Sequence, residues 1–246
     1  MEEWLEYVVS GAIWEPAGNE VILTFKNVSL FEMVDFSAAS FWIALFSFAF
    51  APTYWNTVAR LQYKTQIVSK IFCGSKYLGC YVLALSIFLL QLQRDFAFNI
   101  AINDQPYFAE ASEPINQMFC YFLFFCGSVL VLSSFWVLGI TGTYLGDYFG
   151  ILMDEMVTGF PFNLVSNPMY TGSVMNLLAA ALWKGSPAGV LLTIWSQIVY
   201  YVAVRYFEGP FTSYIYAQRE KEENEKGTKT TGGSKKRNKK KKKNQQ

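Results

Sequence analysis

The 246-residue sequence contains no histidine. That absence removes imidazole general bases, Ser-His-Asp and Cys-His nucleophilic systems, and the usual histidine-containing metal sites. Cysteine is scarce: Cys73, Cys80, Cys120 and Cys126 lie in or beside apolar stretches. Their spacing gives neither a zinc pattern nor a secreted disulfide framework, so they read as small buried hydrophobes. A basic leader is lacking too, because the opening MEEWLEYVVS carries three Glu where a cleavable secretory signal has bases. Charge is missing altogether from 36–52 and 115–141. Such runs exclude a disordered chain and a soluble nucleic-acid binder, since they need a non-aqueous neighbour.

What is present is apolar surface: 52% of residues are hydrophobic and 18% aromatic. The net charge of +1 hides a split, with 12 bases against 4 acids over 219–246 and 8 bases against 15 acids elsewhere. A bilayer core is about 30 Å thick and takes about 20 apolar residues in a helix. Four regions approach that length, 36–52, 77–93, 115–141 and 173–207, the last interrupted at Lys184-Gly-Ser-Pro187. The connection over 54–76 carries Arg60, Lys64, Lys70 and Lys76 without an acid and is expected on the cytosolic side. The connection over 94–114 has one base against Asp95, Asp104, Glu110 and Glu113 and is expected on the lumenal side. A cytosolic polybasic tail then requires 173–207 to be a hairpin, 173–183 against 188–207.

The expected fold is an all-α integral membrane protein with four to five membrane-embedded helices, the last two a hairpin. It divides into an N-terminal segment 1–35, a membrane domain 36–218 and a disordered basic tail 219–246. The tail suits an anionic lipid surface, at about 1 kcal/mol per basic residue. No nucleic-acid partner is expected, and the sequence leaves the oligomeric state open.

Four clusters invite chemistry. The first, 139–150, has four glycines in twelve residues; it fits neither a Walker loop nor a dinucleotide fingerprint, and close helix packing explains it. In the second, 160–172, Pro168 suits the first turn of a helix. Asn167, Tyr170 and backbone N–H groups at that start are candidate ligand contacts. In the third, Arg205-Tyr-Phe-Glu-Gly-Pro-Phe211, Glu208 sits where a helix end disfavours an anion. A positive partner is therefore expected, either Arg205 or a cationic ligand. In the fourth, 52–60, Tyr54 and Trp55 read as an interfacial aromatic belt and Arg60 as a headgroup-level cation. The hairpin returns Asn167, Tyr170 and Glu208 to one membrane face.

PTYWNTVAR, VLVLSSF, GTYLGDYFGIL, FPFN, NPMY and EGPFTSYIYAQ stand in order between residues 52 and 218. Together they resemble the phospholipid N-methyltransferases of the endoplasmic reticulum. The resemblance implies methyl transfer from S-adenosylmethionine to the ethanolamine headgroup of a membrane phospholipid, ending in phosphatidylcholine. It also implies an endoplasmic reticulum membrane location, with a mitochondrial membrane as the other option. Cofactor binding in this family is attributed to a G-x-G motif and a Glu-Glu pair. Here the first falls on Phe125-Cys126-Gly127, keeping one glycine, and the second on Glu208-Gly209, keeping one acid. Gly172, in the second cluster, joins Asn167 and Tyr170 among the expected cofactor contacts. Displacement on a sulfonium by an amine needs no metal or histidine. It needs a base for the ammonium proton, for which Asp147 and Glu155 are the candidates. Tyr144, Tyr148 and Tyr170 are candidates for cation–π contacts, typically about 0.5–2 kcal/mol each. A membrane methyltransferase with another acceptor, such as a prenylated cysteine carboxylate, and a silent scaffold relative are the alternatives.

Overall fold

Proline at position 52 does not end the first long helix. The computed structural model describes residues 22–23, 33–154, 157–222 and 225, and in it α1 (Ala39–Thr65) runs through Pro52. An interior proline costs a helix about 3 kcal/mol. What carries α1 across it is one buried face, Phe41, Ala44, Phe48, Ala51, Trp55, Ala59 and Gln62, recurring every three or four residues. The expected connection over 54–76 is therefore corrected: it is helix as far as Thr65. The chain then turns at Gln66 into the short α2 (Ile67–Ile71). Gln62 closes that corner, donating to Ser69 Oγ at 2.7 Å and accepting from its backbone N–H at 3.1 Å.

A second correction concerns α3 (Lys76–Asn103), which outruns its apolar stretch by ten residues. Arg94 does not begin a lumenal loop. Ala97, Phe98, Ala101 and Ile102 continue the buried face of α3, and Arg94 is itself only 5% exposed. The connection shrinks to 104–113, which holds β2 (Tyr107–Phe108), paired in parallel with β1 (Ile22–Leu23), and a 3-10 turn, Ala109–Ser112.

The next helix, α4 (Pro114–Thr143), buries only Cys120, Gly127 and Ser134, one small residue every seventh position. This narrow seam packs against α5 (Pro168–Lys184), as small residues allow between membrane helices. The remainder of α4 faces outward: Trp136 is 89% exposed. A continuous outward apolar face suits hydrocarbon. The hairpin is present. Gly185 caps α5, and Ser186 Oγ accepts from the Gly189 N–H at 3.2 Å to start α6 (Pro187–Val202). A π-helical stretch, Ala203–Glu208, prolongs α6 toward Glu222.

Three segments among the described residues are long and apolar enough to cross a bilayer: Lys76–Asn103, Pro114–Phe149 and Pro187–Glu222. The chain is an all-helical membrane protein. Its helix ends gather on two sides. On one, Asp35 N–H donates to Gln105 Oε1 at 2.8 Å and Phe108 N–H to the Gly185 carbonyl at 2.9 Å. On the other, Lys76 reaches the Gly150 carbonyl and Thr212 reaches Asp147. The second side thus holds the end of α1, the start of α3, the turn after α4, the start of α5 and the end of α6. Of the N-terminal segment 1–35, residues 1–21 and 24–32 lie outside the described residues; of the tail 219–246, residues 219–222 continue the helix, and 223, 224 and 226–246 lie outside the described residues.

Candidate functional site

On that second side the start of α5 meets the end of α6. Pro168 occupies the first turn of α5, where a proline loses no helical hydrogen bond. Two residues on, Tyr170 directs its hydroxyl to both carboxylate oxygens of Glu208, at 3.0 and 2.9 Å. From α1, Trp55 Nε1 donates to Glu208 Oε1 at 2.7 Å and Asn56 Nδ2 at 3.3 Å. Three helices therefore converge on one partly buried carboxylate. All three donors are neutral. The one ion pair among the described residues is Arg94–Asp95. Arg205, the local cation that the sequence suggests for Glu208, is exposed and is not among those donors.

Beside Glu208 opens a cavity of about 490 Å³, whose wall includes Trp55, Asn167, Tyr170, Tyr144 and Asp147. Its charged lining is Arg94 against Asp95, Asp147 and Glu208, an excess of two negative charges. Asp147, in the 3-10 turn Gly146–Phe149, accepts from Thr212 Oγ1 at 2.9 Å, one helical turn beyond Glu208. Deeper in, Arg94 donates to the Tyr200 hydroxyl and holds Asp95 Oδ1 at 2.6 Å. The Tyr200 ring lies 4.8 Å from that of Tyr170, so an aromatic pair stands between Arg94 and Glu208. Gln91 Oε1 and Thr143 Oγ1, on wall residues, are buried and have no hydrogen-bond partner among the described residues. Buried polar atoms without partners are uncommon, and these two suit a polar ligand. The same wall suits a cationic one.

The expected site residues divide. Asn167, Tyr170, Glu208 and Asp147 border the cavity. Gly127 and Gly172 do not; they press together where α4 crosses α5. A Cβ on Gly172 would lie 2.4 Å from the Gly127 carbonyl oxygen, and one on Gly127 would lie 2.3 Å from Asn176 Oδ1. Phe125 is 66% exposed on the outer face of α4, Cys126 is half-buried, and Gly209 is exposed just past Glu208. Of the three tyrosines, Tyr148 turns into the core and stacks on Phe211 at 5.0 Å. Glu155 lies outside the described residues. The cavity roof depends on Gly139, whose φ of +63° breaks α4 so that 141–145 folds over the opening.

Sequence reasoning missed Trp55, Asn56, Arg94, Tyr200 and Thr212. Trp55 is no aromatic belt: it is 3% exposed, because its indole N–H has a buried carboxylate to satisfy. Two signals were available. Arg94 is an ionisable residue between the apolar Phe88-Leu-Leu90 and Phe96-Ala-Phe98, a functional flag within a membrane helix. Thr212 stands four residues after Glu208, hence on the same helix face.

A family model described as phospholipid methyltransferase matches residues 115–219. A phosphatidyl-N-methylethanolamine N-methyltransferase of Emericella nidulans is 51% identical over 194 residues, covering 79% of this chain and 94% of the relative. The Saccharomyces cerevisiae protein of the same description is 46% identical, over 78% and 92%. A phosphatidylethanolamine N-methyltransferase of Homo sapiens is 44% identical, over 76% and 92%. No solved structure matches the chain.

Proposed function

We propose, for a chain that belongs to the phospholipid methyltransferase family, that it methylates the ethanolamine headgroup of phospholipids to give phosphatidylcholine, with S-adenosylmethionine as donor. The observation that carries this reading is Glu208, a carboxylate given three neutral donors and no cation, on the wall of a cavity with excess negative charge. A sulfonium donor supplies there an electrophilic methyl carbon, and its positive charge complements that wall.

The residues of this chain then have separable tasks. Trp55 and Tyr170 fix the Glu208 carboxylate, so its position is set before any ligand arrives. Glu208 holds the cationic end of the donor, with Asn167 at the mouth and Tyr144 and Tyr170 offering ring faces. Asp147, steadied by Thr212, takes the proton that an ammonium must lose before its nitrogen can attack. A donor held there by Glu208 would supply its methyl group to the amine nitrogen, whose proton Asp147 would have taken. Alignment in a closed cavity contributes on the order of 7–11 kcal/mol toward such displacements. Gly127 and Gly172 act by letting α4 and α5 approach. Gly209 leaves the backbone after Glu208 unobstructed.

The membrane is that of the endoplasmic reticulum, with the cavity mouth and basic tail on the cytosolic side. The bases Arg60, Lys64, Lys70 and Lys76 support this orientation, since they cluster at the same helix ends as the mouth. The tail engages anionic lipid. Membranes containing the protein, given labelled S-adenosylmethionine and each of phosphatidylethanolamine and its mono- and dimethyl forms, should label lipid. Labelling no higher than in empty membranes would defeat the reading.

A further inference from the structure

We propose that the acceptor phospholipid docks in a groove between α1 and α6, its phosphate on Arg60 and its amine against Asn56; this rests on the phospholipid methylation proposed above. The groove encloses about 320 Å³ and is separate from the Glu208 cavity. Its length is apolar, formed by Ala49, Pro52 and Thr53 on one side and Ile198, Val199 and Val202 on the other. That lining fits an acyl chain. Its polar end is made by Asn56 and Arg60.

Asn56 is 6% exposed. Its Nδ2 donates to the Pro52 carbonyl at 3.0 Å and to Glu208 Oε1 at 3.3 Å, which fixes the orientation of the amide. Its Oδ1 is consequently buried with no hydrogen-bond partner among the described residues. A buried amide oxygen without a donor is an acceptor in waiting, and an ethanolamine nitrogen is a donor of the right kind.

Arg60 is held rigidly. Its guanidinium lies 5.3 Å from the Phe207 ring and 5.0 Å from the Phe211 ring, and Nη2 donates to the Phe207 carbonyl at 2.9 Å. Nε–H has no partner among the described residues. A planar, pre-ordered guanidinium is suited to phosphate. Asn56 and Arg60 are four apart on α1, so their Cβ atoms are about 5–6 Å from each other. Both side chains therefore stand on one face of α1 at the same end of the groove. Trp55 borders the cavity and Asn56 the groove, and both bond Glu208. The headgroup docked at Asn56 therefore meets Asp147 and the donor by passing this Trp55–Asn56 pair into the cavity.

The test uses the full chain in mixed micelles with two acceptors. One is phosphatidyl-N-monomethylethanolamine; the other is a diacylglycerol ether of N-methylethanolamine, which lacks phosphate. Arg60→Gln should raise the KM for the phospholipid about tenfold. It should leave the donor Kd and the KM for the phosphate-free acceptor within about twofold. Arg60→Lys keeps the charge but loses the fork, and should fall between the two. Thr53→Trp fills the groove and should raise the KM for both acceptors with the donor Kd preserved. An unchanged phospholipid KM in folded Arg60→Gln, judged by donor titration, would overturn the proposal. So would equal damage to both acceptors in that variant, and so would a Thr53→Trp chain that binds donor and keeps the wild-type KM. If Arg60→Gln does not fold, Arg60→Lys decides by the same pair of KM values. Wild-type membranes that methylate no ethanolamine lipid would instead remove the methylation reading itself.

Discussion

Two places where helices meet follow opposite rules. Where α4 crosses α5, Gly127 and Gly172 exclude everything: neither position has room for a Cβ. Where the start of α5 meets the stretch beyond α6, Glu208 and Tyr170 are hydrogen-bonded at the edge of a cavity. The first contact is close-packed, and the second borders an open cavity lined by three acids and one base. Gly127 and Glu208 are the residues kept here from the two motifs to which the family's cofactor binding is attributed. A glycine in a membrane helix thus gives no warning of whether it receives a ligand or a neighbouring helix, whereas a carboxylate there does.

Substitutions that attack the two contacts separately should sort by size. Glu208→Ala removes the only acid among three donors and should lower kcat/KM for methyl transfer several hundredfold, about 3–4 kcal/mol. Retention of more than a tenth of wild-type kcat/KM would show that the cavity does not depend on its carboxylate. Asp147→Asn should reduce kcat about a hundredfold, as loss of a general base does, with a smaller loss of donor affinity because one of the wall's charges goes with it; an unaltered kcat assigns the proton elsewhere. Gly172→Val acts on the other contact. Its side chain meets the Gly127 carbonyl and Val131 and should destabilise by about 2–3 kcal/mol, read as a lowered thermal midpoint in detergent. A wild-type midpoint would mean the crossing is looser than described. Smallest is Tyr170→Phe, which deletes one hydroxyl and should weaken donor binding about fivefold, near 1 kcal/mol. No change in Kd would leave Tyr170 with its ring alone.

Much of this was legible beforehand, and what was not has a consistent cause. The hairpin followed from a charge-and-parity argument, and Gly185-Ser186 carries it out with a cap at each helix end. Asn167, Tyr170 and Glu208 were singled out because a proline marks one helix start and an anion was read at another helix end, although the helix continues past Glu208 to Glu222. The helix limits at 52 and 93 were misplaced because hydropathy ends where polar residues begin. Here the polar residues, Asn56, Gln62 and Arg94, are the buried ones. Trp55 was misplaced by the same habit, since an indole near a helix end usually meets headgroups. Only the tertiary contact with Glu208, 153 residues away, draws it inward. Gly127 was misweighted because spacing along one helix says nothing about which neighbour fills the gap.

A calorimetric titration of S-adenosylmethionine into purified wild-type, Glu208→Ala and Gly127→Ala proteins compares the two contacts directly. The Glu208 variant should lose affinity about a hundredfold or more. The Gly127 variant, although less stable, should stay within about threefold of wild type while folded. Donor affinity that collapses in folded Gly127→Ala and survives in Glu208→Ala would contradict the assignment of the charged cavity as the donor site.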